Sequence, residues 1–298
     1  MYSRTDQTSA RAELERMAPQ LRGSAAQMLV IEPTGRFPTI DLRELWAYRG
    51  LFFFLVWRDI KVRYAQTVLG AGWAILQPVM STLVFTVVFG KLAQMPSDGV
   101  PYPVFALAAL VPWTFFSTAL SGASNSLVAS ANLITKIYFP RLVIPIAPVM
   151  AGLVDLAIAF VLLLIVMIAY GIVPGVAALV GVPILVFGMM LTAAGVGSWL
   201  AALNIQYRDV KHVTPFLVQV WMYAAPVVYP MSQIPEKWQL LYALNPMAGT
   251  IEGFRSLLLG TNTIEPALMG VSIGMGVLLF LGGILYFRRT ERVFADVA

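Results

Sequence analysis

Trp57-Arg58-Asp59-Ile60-Lys61-Val62-Arg63-Tyr64, followed beyond 65–72 by Trp73-Ala74-Ile75-Leu76-Gln77-Pro78, forms a boundary between two solvents. Arg58, Lys61 and Arg63 gather on its left with the single acid Asp59. To its right no Lys, Arg, Asp or Glu occurs until Lys91. A basic cluster directly ahead of a long uncharged apolar run marks a membrane entry from the cytoplasmic side. The chain is therefore read as starting inside, crossing, and lying almost wholly in lipid.

The composition agrees. Hydrophobic residues make up 59% of the chain and charged residues 12%, and the mean hydropathy is +0.78. A soluble domain is roughly half apolar and a quarter charged. An all-α membrane protein follows, and 298 residues allow one bundle rather than several domains. The formal net charge of +5 lies beside apolar spans, so orientation and lipid head groups explain it and no nucleic-acid partner is expected. The absence of cysteine excludes disulfides, thiol catalysis and cysteine metal sites. The first forty residues mix both charge signs around no apolar stretch of signal-peptide length, so no cleaved signal is expected.

Residues 1–41 read as a cytoplasmic tail punctuated by Pro19, Gly23, Pro33, Gly35 and Pro38. Residues 42–65 alternate aromatic and basic side chains. The uncharged run 50–57 is far short of the ~20 residues a span needs, so an amphipathic helix in the inner interface is expected. A short hairpin into one leaflet is the alternative. Six apolar segments follow, near 72–90, 102–120, 142–170, 176–204, 213–229 and 267–287. Each is long enough to cross, and unpaired backbone groups are not tolerated in lipid, so all six are predicted as helices. Together 66–289 form the transmembrane domain, and 290–298 a second cytoplasmic tail. With both termini and the loops 121–141 and 205–212 inside, seventeen of the twenty Lys and Arg residues are cytoplasmic. Lys91, Lys237 and Arg255 remain outside. Four-residue spacing of Ala193, Gly197 and Ala201, and of Gly270 and Gly274, predicts close helix packing.

The outer loop 231–266 is the least ordinary part. Ser232 and Pro235 suit the start of one short helix through Trp238 to Leu244. Asn245-Pro246 suits the start of a second, and Gly260 its end. Glu252 and Arg255 are spaced to pair on one face. Both helices are apolar yet too short to cross, which predicts a re-entrant pair dipping in from outside; two flat surface helices are the alternative. The inner loop ends in Ala131-Asn132-Leu133-Ile134-Thr135-Lys136-Ile137-Tyr138-Phe139-Pro140-Arg141, a short helix stopped by Pro140. Its apolar side chains suit docking of another protein or rest on lipid. Asp155 is the one ionisable residue deep in the third segment, and such acids are functional candidates. A lone acid favours a hydrogen bond to a neighbouring helix over an ion relay. His212 lies in a basic loop, and one His without Cys or clustered carboxylates makes no metal site. Trp113, Phe116, Phe216, Trp221, Tyr223 and Tyr229 suit the aromatic belt, or a path on which sugar rings stack and slide. No Gly-x-x-x-x-Gly-Lys-Ser/Thr loop occurs, so any ATP must be bound by another subunit.

These residues resemble the membrane subunit of type-2 ABC exporters, in the branch that exports polysaccharides such as O-antigen, capsule and teichoic acid. The likeness rests on the opening stretch, with Gln66-Thr67-Val68-Leu69-Gly70 between its two halves, on the loop from Leu133 to Arg141, and on Asn245-Pro246-Met247 reaching to Arg255. It implies a non-catalytic permease in the bacterial inner membrane, working as a homodimer with two separate ATPase subunits that hold ATP and Mg. It implies that Leu133, Lys136, Ile137 and Tyr138 seat in an ATPase groove, with Arg58 and Arg63 nearby, and that residues 42–65 form a gate helix. Asn245, Pro246, Glu252 and Arg255 would belong to an outer gate, and the aromatic residues would line the path of a lipid-linked glycan. A lipid, drug or teichoic acid cargo stays open. A secondary transporter would need midplane ion sites, and a membrane enzyme would need acids or a histidine at a cavity.

Overall fold

The computed structural model describes residues 42–65, 72–136, 139–207, 209–261 and 265–291. The expected tails, apart from residues 290 and 291, and Ile137 and Tyr138 lie outside the described residues. Those residues hold helices, turns and loops, with no strand among them. In chain order the helices are α1 (Leu42–Ala47), α2 (Arg49–Tyr64), α3 (Trp73–Phe85), α4 (Tyr102–Ala129), α5 (Ala131–Ile134), α6 (Val143–Ala169), α7 (Ala177–Gln206), α8 (Val210–Tyr223), α9 (Glu236–Ala243), α10 (Pro246–Leu259) and α11 (Pro266–Thr290). A π-helical stretch, Thr86–Leu92, continues α3.

Among the described residues five helices are long and apolar enough to cross a membrane: α3 with its π extension, α4, α6, α7 and α11. The predicted span 213–229 is the exception. Its helix, α8, has 14 residues, about 21 Å at 1.5 Å per residue, against a hydrocarbon core of about 30 Å. Pro226 explains the stop: proline donates no backbone hydrogen bond and restricts the residue before it. The chain from 224 to 230 is irregular. Continuous hydrophobicity across 213–229 concealed that break.

α4 is the central helix. It is buried over most of its length and packs along α6 and α7, while α11 packs on the other side of α7. It runs through Ala129, well past residue 120 where the first inner loop was expected to begin. Gly122, Ser124, Asn125 and Ser126 read as turn formers, yet they lie within this helix. The Asn204 side chain of α7 donates to the Ser124 carbonyl at 3.0 Å and to Asn125 Oδ1 at 3.2 Å. Ser124 Oγ meets Thr214 Oγ1 of α8 at 3.1 Å. Small polar side chains here let helices approach and bond to one another.

The tightest crossing joins α7 and α11. A Cβ on Gly283 would lie 2.0 Å from the Gly195 carbonyl oxygen, and one on Gly195 would lie 2.3 Å from Phe280 Cα. Gly197 packs likewise on Ala123. The expected contact through Gly270 and Gly274 is absent: no atom lies within 4 Å of a Cβ at either position. Spacing alone does not say which face of a helix meets a neighbour.

The predicted gate helix is broken at Tyr48 into α1 and α2. Leu55 of α2 packs with Val143 and Ala147 of α6, and Arg63, eight residues on, pairs with Asp155 of α6. The two helices therefore run side by side in the same direction for about 12 Å. α3 contributes little to the core and leaves Trp73, Ile75, Met80, Leu83 and Val84 exposed.

Candidate functional site

The end of the bundle expected to face outward is built around one buried cation. Arg255 on α10 is 1% exposed. Its Nη2 donates to the Val227 carbonyl at 2.7 Å, its Nη1 to the Tyr229 carbonyl at 3.3 Å, and its Nε to the Phe105 carbonyl of α4 at 3.3 Å. The guanidinium lies 3.7 Å from the Phe105 ring centroid, a cation–π contact. Glu252, one turn earlier and equally buried, supplies the counter-charge at 3.4 Å. Its carboxylate also accepts from the Met231 amide. Tyr102 Oη donates to the Val228 carbonyl at 3.0 Å. Irregular backbone within a membrane bundle survives only where protein satisfies its polar groups. Arg255, Glu252 and Tyr102 do this for the segment after α8.

Asn245 is the second organiser. As the N-cap of α10 it accepts from the Met247 amide at 3.0 Å, the predicted role. It also accepts from Trp221 Nε1 at 2.8 Å and donates to the Ala224 carbonyl at 2.8 Å. Pro246 follows at the first helical position, and α10 ends at Gly260 with φ of 70°, which glycine adopts without strain. The first short helix, α9, begins at Glu236 after Pro235 rather than from Ser232. Ser232 lies in a separate turn and donates to Asp98 at 2.9 Å. Tyr229 Oη and Tyr242 Oη are 2.9 Å apart. Burial, and then this bond, hold the Tyr242 hydroxyl above the ordinary phenol range, so it stays protonated.

The six candidate aromatics divide into two sets. Trp113 and Phe116 are buried in the chain, 5.6 Å apart between centroids. Phe116 meets Trp221 edge-on at 5.1 Å, and Trp221 bonds to Asn245. These rings form a continuous line from α4 through α8 to α10. Phe216 and Tyr223 instead point outward from α8, at 68% and 54% exposure. Gln219, not singled out from sequence, is exposed between them. Tyr229 is half-buried against Tyr242.

On α2, Arg58 pairs with Asp59 at 2.8 Å. Arg63 and Tyr64 both bond to Asp155, so the deep acid meets a cation from α2. After α4, Ile134 of α5 and Phe139 beyond it turn into the core, and Leu133 is half-buried. Among the described residues Asn132, Thr135 and Lys136 are exposed; Ile137 and Tyr138, the other apolar candidates of the expected docking face, lie outside the described residues. Arg141 Nη1 donates to the Glu291 carbonyl at 2.7 Å, joining this loop to the end of α11. No group of His, Cys, Asp or Glu able to hold a metal exists among the described residues.

Long apolar helices crossing at glycine contacts, with an irregular segment stapled from within, define a polytopic helical membrane protein. The family is specific: residues 50–259 match the ABC-2 type transporter model, and the chain belongs to that family. It is 31% identical over 255 residues to the O-antigen export system permease protein RfbA of Myxococcus xanthus, covering 84% of this chain and 96% of that one. A Klebsiella pneumoniae protein of the same name is 26% identical, over 80% of this chain and 92% of its own. The polysialic acid transport protein KpsM of Escherichia coli is 25% identical, over 78% and 91%.

Proposed function

We propose that this chain is the membrane-spanning permease subunit of an ATP-driven exporter that moves a lipid-linked polysaccharide out of the cytoplasm. The observation that carries the reading is similarity along most of the chain to permeases named for O-antigen export and polysialic acid transport. The α8 surface supports it. Phe216, Gln219 and Tyr223 recur at helical spacing on one exposed face. An amide exposed between two rings is costly against lipid but suits hydroxylated pyranose rings, whose flat faces stack while their edges hydrogen-bond. Two copies meeting with α3 and α8 towards the seam enclose a path there, and their apolar faces find cover.

The chain makes and breaks no bonds. Two separate ATPase subunits bind ATP and Mg, dock on the inner face beside Lys136, and on closing shift the bundle towards an open seam. The relatives include a permease of E. coli, YadH, at 23% identity, whose name specifies no sugar; a non-glycan cargo is therefore the competing outcome. Deleting the gene and scoring surface polysaccharide tests the reading. Loss of surface glycan, with lipid-linked glycan accumulating inside, is expected. Unchanged surface glycan, or transport that survives ATP depletion and follows a proton gradient, overturns it.

A further inference from the structure

A cleft opens where α2, α3, α4 and α6 meet. Among the described residues its polar lining includes Arg63, Tyr64, Gln77, Thr114 and Asp155, with Trp73 at its edge. Its volume is about 130 Å³, below the ~300 Å³ at which drug-sized sites begin and a few water volumes in all. The space is smaller than a hexopyranose, so it takes in part of one ring and no chain.

Three features point to what fits. Trp73 and Gln77 are four residues apart on α3, so ring and amide share a face, and both are exposed. The Gln77 amide meets no hydrogen-bond partner among the described residues, although α3 is otherwise an apolar spanning helix. Polar side chains on such helices ordinarily find one. Arg63 and Asp155 neutralise each other within the lining, and each keeps exposed side-chain surface, 31% and 25%. No second cation or acid lines the cleft among the described residues. An anion taking Arg63 would draw it from Asp155 and leave that partly buried acid with the Tyr64 hydroxyl in place of its cation, an unfavourable exchange. A neutral polyol costs no such exchange. Its hydroxyls donate to Asp155 and to the Gln77 carbonyl, accept from Arg63 and the Gln77 amide, and its C–H face lies on Trp73.

We infer that this cleft is a subsite for a single uncharged sugar ring, separate from the exposed α8 stripe. The choice of a sugar rests on the export reading above; the preference for a neutral hydroxylated ligand over an anion rests on the cleft alone.

Saturation-transfer NMR on the full chain in phosphatidylcholine nanodiscs tests it, with the methyl α-glycosides of glucose, mannose and galactose as probes. Inorganic phosphate is followed in parallel by line width. At least one glycoside receives saturation. The transfer falls about fivefold or more in Gln77→Ala, the loss of one net hydrogen bond, and falls likewise in Trp73→Leu. It persists in Phe216→Ala, which alters the α8 stripe. Both cleft substitutions are at exposed positions, and an unchanged thermal transition checks folding. Absence of transfer from all three glycosides overturns the inference. So does transfer kept by both cleft variants, or phosphate broadening abolished by Arg63→Gln. If surface glycan persists in a deletion strain while Gln77-dependent binding stands, the export reading fails and the neutral-polyol cleft does not.

Discussion

The Arg255 guanidinium donates to the Val227 carbonyl at 2.7 Å while Glu252, itself 1% exposed, sits one helical turn away at 3.4 Å. The cation thus serves the irregular segment after α8 and the acid beside it together. Arg255→Met removes the donor that reaches the Val227, Tyr229 and Phe105 carbonyls and leaves the Glu252 carboxylate buried without its cation. Breaking a buried pair from one side costs about 3–5 kcal/mol. The variant is expected to accumulate poorly and to melt well below wild type in detergent. Glu252→Gln added to Arg255→Met recovers part of the loss but not all, since the donor to the carbonyls is still missing. Full recovery in the double variant would mean the carbonyl contacts contribute nothing.

Asn245 makes three side-chain bonds, one to each of Trp221, Ala224 and Met247. Asn245→Ala removes all three, of which the cap alone is worth about 1 kcal/mol. Asn245→Asp keeps both acceptor roles and loses only the bond to Ala224. The expected order of thermal stability is wild type, then Asp, then Ala. Equal melting of Asp and Ala would show that the cap and the Trp221 bond carry no weight.

Gly283 and Gly274 lie on the same helix and behave differently. A Cβ at Gly283 would sit 2.0 Å from the Gly195 carbonyl oxygen, whereas one at Gly274 meets nothing within 4 Å. Gly283→Val is expected to abolish accumulation of folded chain, and Gly274→Ala to leave melting unchanged or slightly raised by better helix propensity. Size-exclusion profiles of the two variants decide it.

That contrast shows what was legible in the sequence. Long apolar runs and cationic ends fixed where α4, α6, α7 and α11 would be, because length and charge act locally. The Asn245-Pro246 start and Gly260 end of α10 were legible for the same reason: capping is chemistry between near neighbours. The end of α8 was not, since Ala224-Ala225-Pro226 stays apolar while the backbone breaks. The role of Phe105 and Tyr102 as partners of that break depends on α4 arriving from over a hundred residues away. Ser124 and Asn125 read as turn formers because their partners, Thr214 and Asn204, are 79 to 90 residues away. Arg255 was visible as an isolated outer cation spaced to pair with Glu252, but not as the ligand of three carbonyls.

The Arg63–Asp155 pair couples α2 to α6 and is partly exposed, so its contribution is screened and modest. Its geometry is specific nonetheless. Cysteines placed at partly buried Val56 and at Val143, which pack in one α2–α6 cluster, report the approach of the two helices by cross-linking. Asp155→Asn is expected to lower cross-linking, and the exchange Arg63→Asp with Asp155→Arg to restore much of it. An exchange variant no better than either single change would show that shape, not charge, holds α2 in place.

Lys136 is exposed, next to Thr135 and close in sequence to the Arg141–Glu291 contact. Reversing its charge leaves packing untouched, and surface substitutions of this kind stay within about 0.5 kcal/mol. If ATPase subunits dock here as proposed, Lys136→Glu folds normally and weakens their association, read as loss of co-purification and of export. Wild-type co-purification would remove the inner turn from the docking surface.

Phe116 and Phe216 separate packing from passage. Phe116 is fully buried against Trp113 and Trp221, while Phe216 is 68% exposed on α8. Phe116→Ala opens a cavity, at a cost of about 3–5 kcal/mol, and is expected to lower melting and the amount of folded chain. Export per folded molecule then changes little. Phe216→Ala removes a ring that touches no core, so melting stays near wild type. If α8 lines the path, export per folded molecule falls, and Phe216→Tyr, which keeps the stacking face, restores it. Normalising surface-glycan appearance to the amount of folded permease distinguishes the two. Unchanged export in Phe216→Ala, with folding intact, would remove α8 from the sugar path and leave its exposed rings to lipid or to a second copy of the chain.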